Sequence, residues 1–213
     1  MIEPAAVAAG ADRVRDRVAA AGGDPDAITL IAMTKGFGAD AVRAALQAGL
    51  DRIGENYAQE LTTKAAEVDG PEWHFLGRLQ RNKVRVLAPL VSLWQSVDRL
   101  ELGDEIAKRA PGAPVLVQVN VSGEPQKGGC PPTDTPALVE GLRARRLEVR
   151  GLMTIGPTGP PEAARLPFRA LAALARRLDL DHVSMGMTDD VEVAVQEGST
   201  MIRVGRGLFG PRP

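Results

Sequence analysis

Lys35 is the residue whose position in this sequence most suggests chemistry. It follows the segment from Ile28 to Met33, in which only Thr29 is polar, and Gly36 comes directly after Thr34-Lys35. Such an apolar run is typical of a parallel strand buried on both faces, and ligands gather at the carboxyl ends of these strands. Partial burial there would lower the pKa of the lysine, and a neutral amine can form a Schiff base with an aldehyde. The alternative is that Lys35 only ends a strand at the surface.

Polar residues also follow several other segments that are predicted to be strands. Parallel strands of a barrel end on one face, so these residues are expected to come together there. His74 and Arg203 lie within predicted strands, and Asn56 with Gln59 is also typical of a helix start. For each residue alone, helix capping or a place in the core is the stronger explanation, and only their shared position favours a site. The residues at strand ends are Lys35, Glu55, Asn56, Ser96, Asn120, Thr154 and Ser184.

Eight predicted strands alternate with helices at an even spacing, which predicts an α/β fold with a (β/α)8 TIM-type barrel. Val7, Ala11 and Val14 at helical spacing predict an extra N-terminal helix, and no helix is expected after the last strand. No linker is apparent, so residues 1–213 are expected to form a single domain. An open doubly wound sheet is the alternative, but no G-x-G-x-x-G follows the first strand. The predicted strands are 28–33, 52–54, 73–76, 93–96, 114–120, 149–153, 181–184 and 201–204.

Glycines after the last two predicted strands suggest an anion site. Gly186 closely follows Ser184 before a predicted helix, and Gly205 and Gly207 follow the eighth strand. In barrels of this class these loops often bind phosphate through backbone N–H groups, and glycine lets the backbone approach the anion closely. The alternative is that these glycines only turn the chain.

Arg203 alternates with Ile202 and Val204 on the eighth predicted strand. One face of that strand points into the barrel. A guanidinium on that face needs an acceptor, because an unpaired buried charge is very costly. A barrel carboxylate such as Glu55 is one candidate acceptor, and a bound ligand is the other.

Composition excludes several classes of protein. The 26 Lys and Arg residues and 27 Asp and Glu residues nearly cancel, which argues against a nucleic-acid or membrane-surface partner. Cys130 is the single cysteine, so no internal disulfide can form and a reducing cytoplasm is expected. No signal peptide or membrane-spanning segment is predicted.

Seven motifs occur in order along the sequence. They are Met33-Thr-Lys35, Gly54-Glu-Asn-Tyr57, Trp73-His-Phe-Leu-Gly77 with Leu79-Gln80 and Asn82-Lys83, Gln118-Val-Asn120, Gly151-Leu-Met153, Ser184-Met-Gly-Met187 and Ile202-Arg-Val-Gly205. Together they resemble the pyridoxal phosphate homeostasis protein family, the single-domain relatives of alanine racemase. The similarity extends from Ile28 to Gly210, and it implies a (β/α)8 barrel that holds pyridoxal 5′-phosphate (PLP).

The resemblance also implies roles for individual residues. It places PLP as a Schiff base on Lys35 and sets Arg203 against the pyridine nitrogen. Asn56, His74 and Met153 belong to motifs assigned to the same pocket. The residues assigned to the phosphate are Ser184, Met185, Gly186, Gly205 and Arg206. Arg206 is a departure, since the family usually has a small hydroxyl residue there, and we expect its side chain to point to solvent.

Arg203 also bears on what the bound PLP can do. An arginine at the ring nitrogen can only donate a hydrogen bond, so it favours an unprotonated pyridine that is a weak electron sink. We therefore expect a PLP carrier in cofactor homeostasis, without catalytic residues or metal. The expected carrier is a monomer, with PLP-dependent apoenzymes as its recipients. An amino-acid racemase is the alternative, although Tyr57 is the only tyrosine and no second domain is predicted. A Schiff-base aldolase acting on a sugar phosphate would use the same lysine and anion site.

Overall fold

The computed structural model describes residues 2–212. Within them eight strands form a closed barrel in chain order, every neighbouring pair is parallel, and β1 pairs with β8. The predicted (β/α)8 barrel is thereby confirmed. The strands are β1 Thr29–Met33, β2 Arg52–Glu55, β3 Glu72–Phe75, β4 Val91–Val97, β5 Pro114–Gln118, β6 Glu148–Met153, β7 His182–Met187 and β8 Met201–Val204.

Helices surround the barrel, and the extra N-terminal helix is present. None of the described helices is both long enough and apolar enough to cross a membrane. The helices are α1 Pro4–Ala20, α2 Ala39–Gln47, α3 Ala58–Glu67, α4 Arg81–Leu87, α5 Leu100–Arg109, α6 Thr135–Ala144, α7 Arg165–Arg177, α8 Val191–Gln196 and α9 Arg206–Phe209, with 3-10 turns at Pro125–Lys127 and Pro161–Ala164.

The expectation that no helix follows the last strand is wrong, because α9 adds one helical turn after β8. Helix α1 packs against α9 and covers the gap that so short a helix leaves. The two helices approach closely at Gly10, where an added Cβ would lie 2.8 Å from the carbonyl oxygen of Gly207. Arg17 of α1 also donates to both carboxylate oxygens of Glu192 on α8, each at 2.6 Å.

Two apolar layers hold the fold, and aliphatic side chains build most of both. The outer layer, between strands and helices, includes the fully buried Ile53, Trp94 and Phe168. Truncating a buried aromatic of this kind to alanine costs about 3–5 kcal/mol. The inner layer fills the barrel and consists of Ile31, Met33, Leu76, Leu93, Leu116, Met153 and Met201. This filled interior leaves ligands only the open end of the barrel.

Helix α3 begins differently from the sequence prediction. Tyr57 is its N-cap residue, and no side chain caps the helix, so Asn56 and Gln59 form no capping box. Asn56 is thereby left outside the helix, at the carboxyl end of β2.

Candidate functional site

A cavity of about 500 Å³ opens at the carboxyl end of the barrel. That volume lies within the range of small-molecule and cofactor sites. Of the residues that the sequence assigned to a site, six line this cavity: Lys35, Asn56, Met153, Arg203, Gly205 and Arg206. The predicted residues His74, Ser184, Met185 and Gly186 are not among the lining residues.

Lys35 lies at the end of β1 and is half-buried in the cavity wall. Its ammonium group makes no hydrogen bond or ion pair with any residue in the described part of the chain. Burial, followed by the guanidinium groups of Arg212 and Arg203, lowers the pKa of Lys35, while Glu55 opposes this effect. More of the amine is therefore neutral at a given pH than in an exposed lysine, which favours attack on a carbonyl.

Arg203 is only 5% exposed and forms part of the cavity floor. Its Nη1 donates to the Ser184 hydroxyl at 2.8 Å, and its Nη2 donates to the Thr154 carbonyl oxygen at 2.7 Å. Burial lowers the pKa of Arg203 to about 10, so the group is still a cation at neutral pH. A guanidinium has five N–H donors, and others remain for a ligand.

Glu55 is not the acceptor for Arg203. Its Oε1 instead accepts hydrogen bonds from Lys64 Nζ and from the Thr34 hydroxyl, each at 2.5 Å. Burial raises the pKa of Glu55, and the two donors oppose the shift. The salt bridge between Arg203 and Glu55 that the sequence left open is therefore absent.

A chain of hydrogen bonds continues from Arg203 across the barrel. Because arginine can only donate, the Ser184 hydroxyl accepts a hydrogen bond from Arg203 and donates one to Gln95 Oε1 at 2.7 Å. Gln95 Nε2 then lies 2.8 Å from His74 Nδ1, which accepts. Burial is the main cause that lowers the pKa of His74 to about 4, so the ring is neutral and carries its proton on Nε2. We call these four residues the floor network.

The floor network changes the expected place of two predicted residues. His74 and Ser184 are 3% and 0% exposed, and both lie beneath the cavity rather than in its wall. The Ser184 hydroxyl donates its only hydrogen bond to Gln95, so in this arrangement it has none to donate to a phosphate. Ser184 contacts Arg203 directly, and His74 is linked to it through Gln95 and Ser184.

Met185 and Gly186 have packing roles. Met185 is fully buried in the outer apolar layer. Gly186 has φ +92°, and an added Cβ would lie 2.5 Å from the Ala194 side chain, so only glycine fits between β7 and α8. A contact of their backbone with phosphate stays a prediction.

Gly205 lines the cavity directly after β8, and the nearby Gly207 is not among the lining residues. An added Cβ on Gly205 would lie 3.2 Å from the Met33 carbonyl oxygen, and one on Gly207 would lie 2.8 Å from the Val204 side chain. Thr188 lines the same wall next to Gly207. The arrangement can present backbone N–H groups and one hydroxyl to an anion.

Arg206 points to solvent, as expected. Its guanidinium donates to Asp189 at 2.6 Å, and 63% of the side chain is exposed. Together with Lys35 and Arg212, this pair forms the rim of the cavity.

Three other residues that follow predicted strands organise loops instead. The Ser96 hydroxyl donates to the Gly77 carbonyl oxygen at 2.6 Å, and the Thr154 hydroxyl donates to the Val119 carbonyl oxygen at 2.7 Å. Asn120 Nδ2 donates to the Glu124 carbonyl oxygen at 3.0 Å.

Several lining residues escaped the sequence reasoning. Thr188 directly follows the Ser184-Met-Gly-Met187 motif, which is the one signal that pointed to it. Phe37 packs against Phe209 with ring centroids 5.4 Å apart, and Arg212 lies beside Gly36. The places of Phe209 and Arg212 depend on α9, which the sequence did not predict.

Known proteins resemble this chain in sequence and in fold. The model of the alanine racemase N-terminal domain matches residues 3–213. The pyridoxal phosphate homeostasis protein of Pseudomonas aeruginosa is 45% identical over 212 residues, covering 95% of this chain and 92% of that protein. Its counterpart in Escherichia coli K12 is 38% identical over 220 residues, covering 94% of each.

Two solved structures extend the comparison. PipY of Synechococcus elongatus, solved with PLP bound, superposes with a TM-score of 0.81 at 33% identity, covering 92% of this chain and all of that one. Alanine racemase of Corynebacterium glutamicum superposes with a TM-score of 0.78 at 15% identity, covering 99% of this chain and 62% of that one, which shows the fold alone. The chain therefore belongs to the pyridoxal phosphate homeostasis protein family, within the wider family of the alanine racemase N-terminal domain.

Proposed function

We propose that this protein binds PLP, holds it as a Schiff base on Lys35 and serves intracellular PLP homeostasis without turning over a substrate. The observation that carries the proposal is the placement of Lys35. Its half-buried amine, with a lowered pKa, faces the same cavity as the buried guanidinium of Arg203. The family relationship supports the same ligand, since PipY was solved with PLP bound.

The residues present fit PLP at three points. PLP carries an aldehyde, a phosphate and a pyridine nitrogen. Lys35 supplies an amine for the aldehyde, and the wall at Thr188, Gly205 and Arg206 offers a hydroxyl and backbone N–H groups for the phosphate. Arg203 supplies N–H donors on the cavity floor for the third. Side-chain contacts of Ser184 and Met185 with the phosphate are not favoured. The Ser184 hydroxyl donates to Gln95, and the Met185 side chain is fully buried.

The floor network argues for holding rather than catalysis. Bound PLP supplies an electron sink whose strength depends on protonation of its ring nitrogen. Arg203 has no proton to give up at neutral pH and is fixed by Ser184 and Thr154, so it can donate a hydrogen bond but not protonate the ring. A weak sink suits storage and transfer of PLP.

The racemase alternative lacks support from the cavity. Two-base racemisation needs a second proton-transferring group opposite Lys35. Tyr57 is 60% exposed and does not line the cavity, and Asp189 on the rim is paired with Arg206.

Incubating L-alanine with PLP-loaded protein should give no D-alanine above a free-PLP control. Conversion that disappears in Lys35→Ala would favour the racemase.

Further proposals concern the protein's setting. We place it in the cytoplasm as a single-domain monomer over residues 1–213, with PLP-dependent apoenzymes as recipients. The buried free thiol of Cys130 is compatible with a reducing compartment.

An absorption spectrum of the purified protein with PLP tests the function. A visible imine band that borohydride removes is expected for wild type and for Lys108→Ala, which changes an exposed lysine on α5. Lys35→Ala should lose the band and keep its fold. A band in Lys35→Ala would overturn the role of Lys35. A wild-type protein without any band would favour a Schiff-base aldolase over a PLP protein.

A further inference from the structure

Lys35 lies in a tight turn between β1 and α2. The Phe37 N–H donates to the Thr34 carbonyl oxygen at 3.0 Å, which closes a four-residue turn with Lys35 in its second position. Gly36 in the third position has φ +78°. Lys35 is not among the residues with positive φ, so the turn is of type II, whose third position favours glycine.

Two side chains of α3 reach this turn from one side. Lys64 Nζ donates to the Thr34 carbonyl oxygen at 2.8 Å, and the Gly36 N–H donates to Glu60 Oε2 at 2.8 Å. These contacts hold the residue before Lys35 and the residue after it. Lys64 and Glu60 also pair with each other at 3.2 Å, one helical turn apart.

Glu55 completes the arrangement from the end of β2. Its Oε1 accepts from both Lys64 Nζ and the Thr34 hydroxyl. Glu55 and Lys64 are 0% and 3% exposed, and Glu55 Oε2 has no partner among the described residues. We refer to Glu55, Glu60 and Lys64 as the α3 clamp.

Stability alone explains the α3 clamp poorly. Removing two charges from water is expensive, and replacing a buried ion pair with apolar residues is often neutral or stabilising. An orphaned carboxylate oxygen makes this pair costlier still. The contacts converge on the backbone at both sides of one residue, which points to a positioning role.

We propose that Glu60 and Lys64 are positioning residues that fix the turn of Lys35, so that its amine is preorganised over the cavity. This inference rests on the proposed function of Lys35. Neither residue lines the cavity, so neither is expected to contact PLP. Displacing a reacting group by as little as 1 Å can slow a reaction by about a hundredfold, which sets the scale of what such positioning can contribute.

The rate of imine formation after mixing apoprotein with PLP tests the proposal. Lys64→Met and Glu60→Ala should each slow it by about tenfold. Glu60→Gln should stay near wild type, because the amide oxygen can still accept from Gly36 N–H. The matched control is Glu105→Ala on α5. It breaks the i,i+4 ion pair of Glu105 Oε1 with Arg109 Nε at 2.9 Å, and the rate of imine formation should not change.

A double-variant experiment separates positioning from general structure. In a Lys35→Ala background, adding Glu60→Ala should leave the PLP affinity measured by equilibrium dialysis unchanged, because the clamp acts only through Lys35. In the apoprotein, Glu60→Ala should also speed hydrogen exchange of the Gly36 amide, a readout that does not need PLP. A loss of affinity in the Lys35→Ala background would assign Glu60 a merely structural role and overturn the proposal.

The outcomes for function and positioning remain distinct. A wild-type protein that forms no imine refutes the proposed function. An imine that forms at the wild-type rate in Glu60→Ala refutes the positioning role and leaves the function intact. If Lys64→Met does not fold, the comparison of Glu60→Ala with Glu60→Gln decides, and equal rates in those two variants refute the proposal.

Discussion

The floor and the rim of the cavity use polar groups in opposite ways. The floor network of Arg203, Ser184, Gln95 and His74 is almost fully buried, and each member is hydrogen-bonded to the next. The rim pair of Arg206 and Asp189 is mostly exposed. Buried networks specify one arrangement because an unpaired member is costly, whereas exposed ion pairs contribute about 0–1 kcal/mol. The floor is therefore built to hold one geometry, and the rim tolerates change.

The largest expected effect concerns His74. The imidazole of His74 has a pKa of about 4 in the folded protein and of 6.5 in the unfolded chain. Its neutral form therefore contributes stability to the folded protein above pH 6.5, and this contribution is lost as the pH falls towards 4. The gap between these pKa values corresponds to about 3 kcal/mol. Urea unfolding at pH 7 and pH 4.5 should show most of that loss in wild type and much less of it in His74→Gln. Burial also lowers the pKa of His182, the other histidine of the chain, but this side chain is only partly buried, so His182→Gln should reduce the pH dependence less than His74→Gln does. Equal pH dependence in His74→Gln and wild type would place the titrating group elsewhere.

Arg203→Gln should have the next largest effect. Hydrogen bonds from a charged donor contribute about 1.5–3 kcal/mol, so PLP affinity should fall by about ten- to a hundredfold. Equilibrium dialysis measures this, and thermal unfolding of the apoprotein shows whether the variant has folded. Wild-type affinity in a folded variant would show that the floor does not contact the ligand.

Arg206→Thr should have the smallest effect, because the wild-type side chain faces solvent. PLP affinity should change by less than about tenfold, or about 1.4 kcal/mol. Pyridoxal, which lacks the phosphate, should bind far more weakly to both forms. A loss as large as that of Arg203→Gln would show that Arg206 is itself a phosphate ligand and would remove the contrast between rim and floor.

The same contrast separates what the sequence could predict from what it could not. The positions of Lys35 and Arg203 in the barrel were predictable. Lys35 follows an apolar strand, and alternation along the eighth strand places Arg203 on the face opposite to Ile202 and Val204. The place of Gln95, the polar residue of β4 in the floor network, was not predictable. The sequence singled out Ser96 at the predicted strand end, whereas Gln95 points inward on the same face of β4 as Leu93 of the inner layer.

Long-range contacts account for the remaining differences. The sequence leaves Glu55 open as one of two candidate acceptors for Arg203, but Lys64 of α3 donates to Glu55 instead. Arg212 enters the cavity wall because α9 turns the chain back over Gly36. Neither contact has a local sequence signal, because each depends on how a helix packs on the barrel.

The attachment site of PLP tests the central claim most directly. Protein loaded with PLP is reduced with borohydride and digested, and its peptides are identified by mass spectrometry. A phosphopyridoxyl group on the peptide that contains Lys35 is the predicted result. The same group found only on Lys64, Lys83, Lys108 or Lys127 would contradict the assignment of Lys35 and the role of the cavity around it.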